Sequence, residues 1–349
     1  MSDTTTTSGV GLTDLSLDSL ATSTLPAPPV PIQNPLTLIL DILDPVTNYD
    51  PLYKAVVNLS RADLMTVPIL HFVRLFFLTP QTFDTPAGPI TVPTQMSIVN
   101  TFDGSLDDYL EAFVNAHDNI FEPILQYVDG ASTFIPIVEH KAAIKAWLVA
   151  QNIAPNFWYS AYPTVTTPTI QKYVSDAGVV VPVNPPNIDL GFGPQTPLTI
   201  IADILSDPND PSILINNYNT LVGLCQQLHA SDLNTVLVIH FARFFFFDFK
   251  TFLTPGGPVK AATKFAVFTA YDGNFDNYIE DFIHETEDIF DAIVPSIQGA
   301  TGFSPINKNA EPFKAWLKTK DADIAFWFSA YPTITLIQIE ASEAANNKQ

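Results

Sequence analysis

A single cysteine, Cys225, stands among the 349 residues, which rules out an intrachain disulfide and a cysteine-based zinc site. Basic residues are scarce as well: Lys and Arg number 15 against 36 Asp and Glu, for a formal net charge of −21. Such a field repels phosphate backbones and anionic lipid, so neither nucleic acid nor an anionic membrane is an expected partner. Charged residues of both signs make up only 15%, against about 25% in ordinary soluble domains. The surface must rely on Ser, Thr, Asn, Gln and Pro, or lie partly against another subunit, which makes a homo-oligomer one expected state.

No uncharged apolar run reaches about 18 residues, so no membrane span is expected. The opening stretch, MSDTTTTSGVGLTDLSLDSLATSTLPAPPVP, has no basic start and no continuous apolar core, and does not read as a secretory signal. The expected address is the cytoplasm, or the lumen of an intracellular assembly. Gly-x-Ser-x-Gly, Gly-x-Gly-x-x-Gly, the Walker loop and His-Glu-x-x-His are all missing. Phosphate transfer, dinucleotide binding and zinc hydrolysis lose their usual support, and no metal site is expected.

Two features stand out against these gaps: phenylalanine, with 26 residues, and an internal repeat. His71 matches His240, Arg74 matches Arg243, Asp103 matches Asp272, Tyr109 matches Tyr278 and Trp147 matches Trp316, each at an offset of 169. FWYSAYPTVT from Phe157 matches FWFSAYPTIT from Phe326 at the same offset, while Pro35 to Pro197 is only 162. A constant offset over so long a stretch indicates tandem duplication, with the insertion confined to the first helical segment. The expected organisation is a flexible Thr/Ser/Pro-rich tail over 1–34, repeat 1 over 35–174, a linker over 175–196, repeat 2 over 197–340 and a polar tail over 341–349.

Within the second repeat, PLTIIADIL reads as a strand and 212–228 as a helix. Residues 236–247 are apolar on both faces, as in a strand buried from both sides, and 265–271 form the third strand. Asn274 caps an acidic helix start, and 324–333 is the fourth strand. The order β-α-β-β-α-β predicts an α+β fold built from two ferredoxin-like units, packed sheet to sheet as an intramolecular pseudo-dimer.

At HFAR (240–243), YDG (271–273) and FWFSAYP (326–332) the chain resembles a little-characterised bacterial group of the dimeric α/β-barrel superfamily. The resemblance covers about 35–340, and the motifs are fairly specific for the group. It implies no agreed activity, because the superfamily includes haem peroxidases, chlorite dismutases, cofactor-free monooxygenases and cyclases. The peroxidases carry Gly-x-x-Asp-Gly; here the first position is Asn100 or Thr269.

By period-2 alternation His240 shares a face with Val238, Ala242, Phe244 and Phe246, and Arg243 lies opposite with Ile239, Phe241, Phe245 and Phe247. The small Ala242 leaves room beside the imidazole, so His71 and His240 are expected to face the space between the sheets. They serve there either as hydrogen-bonded core residues or as general base or ligand anchor. Phe244, Phe246, Tyr162 and Tyr331 complete the candidate ligand-binding set. Arg74 and Arg243 are expected to be structural, packed under the helices and paired with a carboxylate or a helix C-terminus. Asp103 and Asp272 are expected at a turn or cap, or as partners of those arginines. His117, His140, His229 and His284 lack a His counterpart and read as solvated or incidental.

Three functions fit this reading. One is a binding or structural module holding an apolar small molecule or a protein partner, with no cofactor. Another is a dimeric α/β-barrel enzyme using a cavity histidine for proton transfer or oxygenation, or haem, the alternative cofactor. The last is cargo or scaffold in a larger assembly.

Overall fold

The computed structural model describes residues 31–176 and 195–346. The leader up to Val30, most of the expected linker and the final residues lie outside them. The first half runs β1 (Gln33–Asp41), α1 (Pro45–Val57), α2 (Arg61–Leu64), β2 (Leu70–Thr85), β3 (Gly88–Asp103), α3 (Leu106–Leu125), α4 (Ile137–Gln151), β4 (Phe157–Ser160) and α5 (Thr167–Asp176). The second runs β5 (Gln195–Asp203), α6 (Pro211–Gln227), α7 (Ala230–Leu233), β6 (Ile239–Thr254), β7 (Gly257–Asp272), α8 (Phe275–Ile293), α9 (Ala310–Lys318), β8 (Ile324–Ser329) and α10 (Leu336–Asn346).

Local chemistry explains many of these boundaries. Pro45 and Pro211 open α1 and α6, where a missing N–H costs nothing. Ser105 and Asn274 cap α3 and α8, each side-chain oxygen accepting from a backbone N–H three residues on. Gly104 and Gly273 adopt φ of 83° and 92°, which lets the chain leave β3 and β7 in a tight Asp-Gly turn. The β2–β3 and β6–β7 hairpins are longer than expected, because two-residue turns (Pro86-Ala87, Pro255-Gly256) carry the pairing on to Thr85–Gly88 and Thr254–Gly257. The expected boundaries also move. Gln33 and Gln195, assigned to tail and linker, begin β1 and β5, and much of the expected C-terminal tail belongs to α10. Ala and Glu in that tail are strong helix formers, and the Leu336 N–H at its start is anchored on Asp272.

The architecture is mixed α+β, with two four-stranded antiparallel sheets of order β1-β3-β2-β8 and β4-β6-β7-β5. Each sheet therefore takes three strands from one half and its fourth from the other. The residues leading into β4 still touch their own half: Ile153 N–H donates to Thr37 O at 2.8 Å, and Asn152 Oδ1 accepts from Thr37 N. Ala322 N–H donates likewise to Thr199 O at 2.8 Å before β8 crosses to β2. These contacts, with bridges at Leu38–Asn152 and Ile200–Asp321, stitch the sheets together along both open edges.

The two faces of each sheet are filled differently. Phe76, Leu78, Val99, Phe245, Phe247, Ala266 and Phe268 form a cluster between the sheets. Ala242, Phe244 and Phe246 belong to a second cluster under the helices, where the Phe246 ring meets Tyr218 of α6 at 5.2 Å. This corrects the expected faces: the arginine side of β6 looks between the sheets, and Phe244 and Phe246 look outward to the helices. The histidines still lie inward, because the register of β6 against β7 shifts between Ile239 and Phe241, and that of β2 between Leu70 and Phe72. A bulge at each histidine breaks the alternation that was used to place it.

Candidate functional site

The strand turns that follow β4 and β8 bring Tyr162 and Tyr331 to the histidines. Gln33 Nε2 donates to Tyr162 O and Val165 O, and its Oε1 accepts from Ser160 Oγ, which in turn accepts from Tyr162 N. Gln195 and Ser329 repeat the arrangement around Tyr331 and Ile334. These clamps fix both phenols in place. Both were expected in the ligand-binding set, Tyr331 within the fourth strand; instead both follow that strand and are buried.

The result is one continuous polar chain between the halves. Asp103 Oδ1 lies 2.7 Å from His71 Nε2, and His71 Nδ1 lies 2.6 Å from Tyr331 OH. Tyr331 OH meets Tyr162 OH at 3.0 Å. Tyr162 OH lies 2.9 Å from His240 Nδ1, and His240 Nε2 lies 2.9 Å from Asp272 Oδ1. The remaining carboxylate oxygens accept from the first N–H of α5 (Thr167, 2.7 Å) and of α10 (Leu336, 2.7 Å). Negative charge at a helix N-terminus is favourable there. Asp103 and Asp272 thus bind histidine and cap distant helices, rather than pairing with arginine.

Burial decides what this chain can do. Both imidazoles are 0% exposed and both of their nitrogens are engaged. Burial pushes both phenols well above the ordinary tyrosine range; the neighbouring phenol adds to this at Tyr162, and Asp103 adds to it at Tyr331. Tyrosinate chemistry is therefore disfavoured. The five links also constrain the protons, since each needs one. Two neutral imidazoles and two phenols bring four protons, one short of the five links.

The arginines form a second inward group. Arg74 and Arg243 cross to the opposite sheet and donate to backbone carbonyls and threonine hydroxyls, not to carboxylates. Their planes lie 5.2 Å over Trp327 and 5.0 Å over Trp158, the residues paired with them on the exchanged strands. A structural role was expected and its face and partners were not. Arg61, missed in the sequence, is buried and donates to Ser329 O and Ala330 O. It has no arginine counterpart, since residue 230 is Ala. Gln33, Gln195, Ser160 and Ser329 were also missed, although the glutamines share the 162 offset and the serines sit inside the repeated FWxSAYP motif.

A third feature lies outside the sheets. An apolar cavity of about 50 Å³ sits between β5–β7 and helices α8 and α9, lined among others by Ile200, Ala202, Phe244, Phe282, Phe290 and Phe313. Thr286 breaks α8 beside it, with φ −136° and ψ 32°, and its hydroxyl donates back to Phe282 O at 2.7 Å. Of the expected ligand-binding set, Phe244 lines this cavity; Phe246, the tyrosines and the histidines do not. His229 and His284 are exposed.

Among the described residues no group of three or more His, Cys, Asp or Glu is placed to hold a metal ion, and no helix is long and apolar enough to cross a membrane. Neither a scan against protein-family models nor a search of curated proteins found a match to this chain.

Proposed function

We propose that the chain is a binding module, two ferredoxin-like units fused as a pseudo-dimer of dimeric α/β-barrel type, that takes a small apolar molecule under α8 and α9. The observation that carries this reading is the cavity itself: its walls are aliphatic and aromatic, and the broken helix α8 forms one side of it. At about 50 Å³ it is smaller than the roughly 150 Å³ that accepts benzene in an engineered core. Entry of a ring therefore needs α8 to yield at Thr286. The duplication and the shared motifs support the fold family. The histidine–tyrosine chain then serves as the lock between the halves, since its imidazoles have no free nitrogen to offer a substrate. Haem does not fit the cavity, because about 50 Å³ is far too little space for a porphyrin.

The test is titration of the full chain with benzene and indole, followed by methyl NMR and thermal unfolding. Saturable shifts confined to residues of α8, α9 and β5, with a rise in Tm, are expected; Ala202→Phe, which fills the cavity, should abolish both. A folded Ala202→Phe protein that binds the probes as the parent does, or a parent that binds neither, would sink the reading.

A further inference from the structure

Arg243 donates through Nη1 to Leu36 O (2.9 Å) and Thr37 Oγ1 (3.1 Å), and through Nη2 to Asn100 O (2.8 Å) and Thr101 Oγ1 (2.8 Å). Arg74 donates through Nη1 to Leu198 O (2.7 Å) and Thr199 Oγ1 (3.0 Å), and through Nη2 to Thr269 O (2.7 Å). The two sets correspond residue for residue with one exception. Where Arg243 meets Thr101, the matching residue for Arg74 is Ala270. A cavity of about 10 Å³ lies here, bounded by both arginines, Thr101, Ala270 and the rings of Phe72 and Phe241. That is room on the scale of one water or one chloride ion.

The charges around this cavity do not balance. Asp321 is the carboxylate near Arg74; its Oδ1 accepts from Thr199 N at 2.8 Å, and Thr199 Oγ1 accepts from Arg74. The matching position beside Arg243 is Asn152, whose Oδ1 accepts from Thr37 N. Of the carboxylates, only Asp321 acts on these two guanidinium groups, and it acts on Arg74. Burial itself raises the Asp321 pKa, which weakens even that compensation. Burial lowers Arg74 to about 9, and burial with the Arg74 charge lowers Arg243 well below its ordinary value. A guanidinium keeps its proton in proteins, so this unfavourable field has to be met by a counter-charge.

We infer that the cavity between Arg74 and Arg243 binds one small monovalent anion of chloride size. The anion takes the place of the hydroxyl missing at Ala270 and balances the second guanidinium. The site is separate from the apolar cavity and does not depend on its ligand.

The experiment compares thermal unfolding of the full chain in sodium chloride and in sodium gluconate at equal ionic strength. Chloride is expected to raise Tm by roughly 2 °C per tenfold increase once the site begins to fill. Ala270→Thr, which restores the hydroxyl and fills the space, should remove that difference. Crystals of the parent grown in sodium bromide should show an anomalous peak between the two guanidinium groups, a readout that holds even if the variant fails to fold. Equal Tm in both salts, an undiminished chloride effect in a folded Ala270→Thr protein, or water alone between the arginines in bromide would each overturn the assignment.

Discussion

The phenol oxygens of Tyr162 and Tyr331 meet at 3.0 Å although 169 residues separate them in the chain. Each belongs to the half that supplies the exchanged strand, and each reaches the histidine of the other half. That single contact joins two otherwise separate Asp–His–Tyr arrays into one.

Removing a link should cost more than a surface hydrogen bond. Tyr331→Phe leaves His71 Nδ1 and one side of Tyr162 without a partner, and should destabilise by about 1–3 kcal/mol in urea unfolding. The Tyr162→Phe, Tyr331→Phe pair should be non-additive by about 0.5–3 kcal/mol. Strictly additive losses would show that the phenols do not act as one array.

His71 and His240 each have both ring nitrogens engaged inside the buried chain. His240→Ala should cost about 3 kcal/mol, because Asp272 and Tyr162 lose their partner in a buried site. Urea unfolding checks this, and a loss of under about 1 kcal/mol would show that the imidazole is dispensable there.

Arg243→Lys should not rescue Arg243→Ala. The guanidinium reaches Leu36, Thr37, Asn100 and Thr101 from two nitrogens, whereas an ammonium is a single point donor. Both variants should lose about 3 kcal/mol or more. Recovery of parental stability with lysine would argue that charge alone matters there.

Alkali should unfold the protein steeply. Burial raises Tyr109, Tyr162, Tyr278 and Tyr331 above the ordinary 10.0. Below a pH of about 10 their contribution is fully present. Above it the unfolded chain releases protons that the folded one retains, so each phenol removes about 1.4 kcal/mol per pH unit until its folded value is passed. A stability profile flat to pH 11.5 would contradict this.

Cys225 is buried in α6, and burial pushes its thiol up to about 12. Labelling by a disulfide reagent at pH 8 should proceed only at the rate of unfolding and be accelerated by urea. Fast stoichiometric labelling of the native chain would show α6 to be open.

Much of the scaffold was legible in the residues alone. Apolar runs, the Asp-Gly turns and the Asn274 cap are local signals, and they placed the strands and the long helices close to where they lie. The repeat at a fixed offset paired His71 with His240 and Tyr162 with Tyr331 before any geometry was known. What local pattern could not decide was which sheet the fourth strand joins. Phe157–Ser160 has the same apolar character beside its own β1 as beside β6, and only the closing of both sheet edges selects the exchange. Nor could alternation survive the bulges at His71 and His240, since one extra residue moves a side chain to the other face without altering composition. The inward arginines and the meeting of two phenols follow from those two events. Both depend on hydrogen-bond partners more than a hundred residues away, and tertiary packing alone brings such partners together.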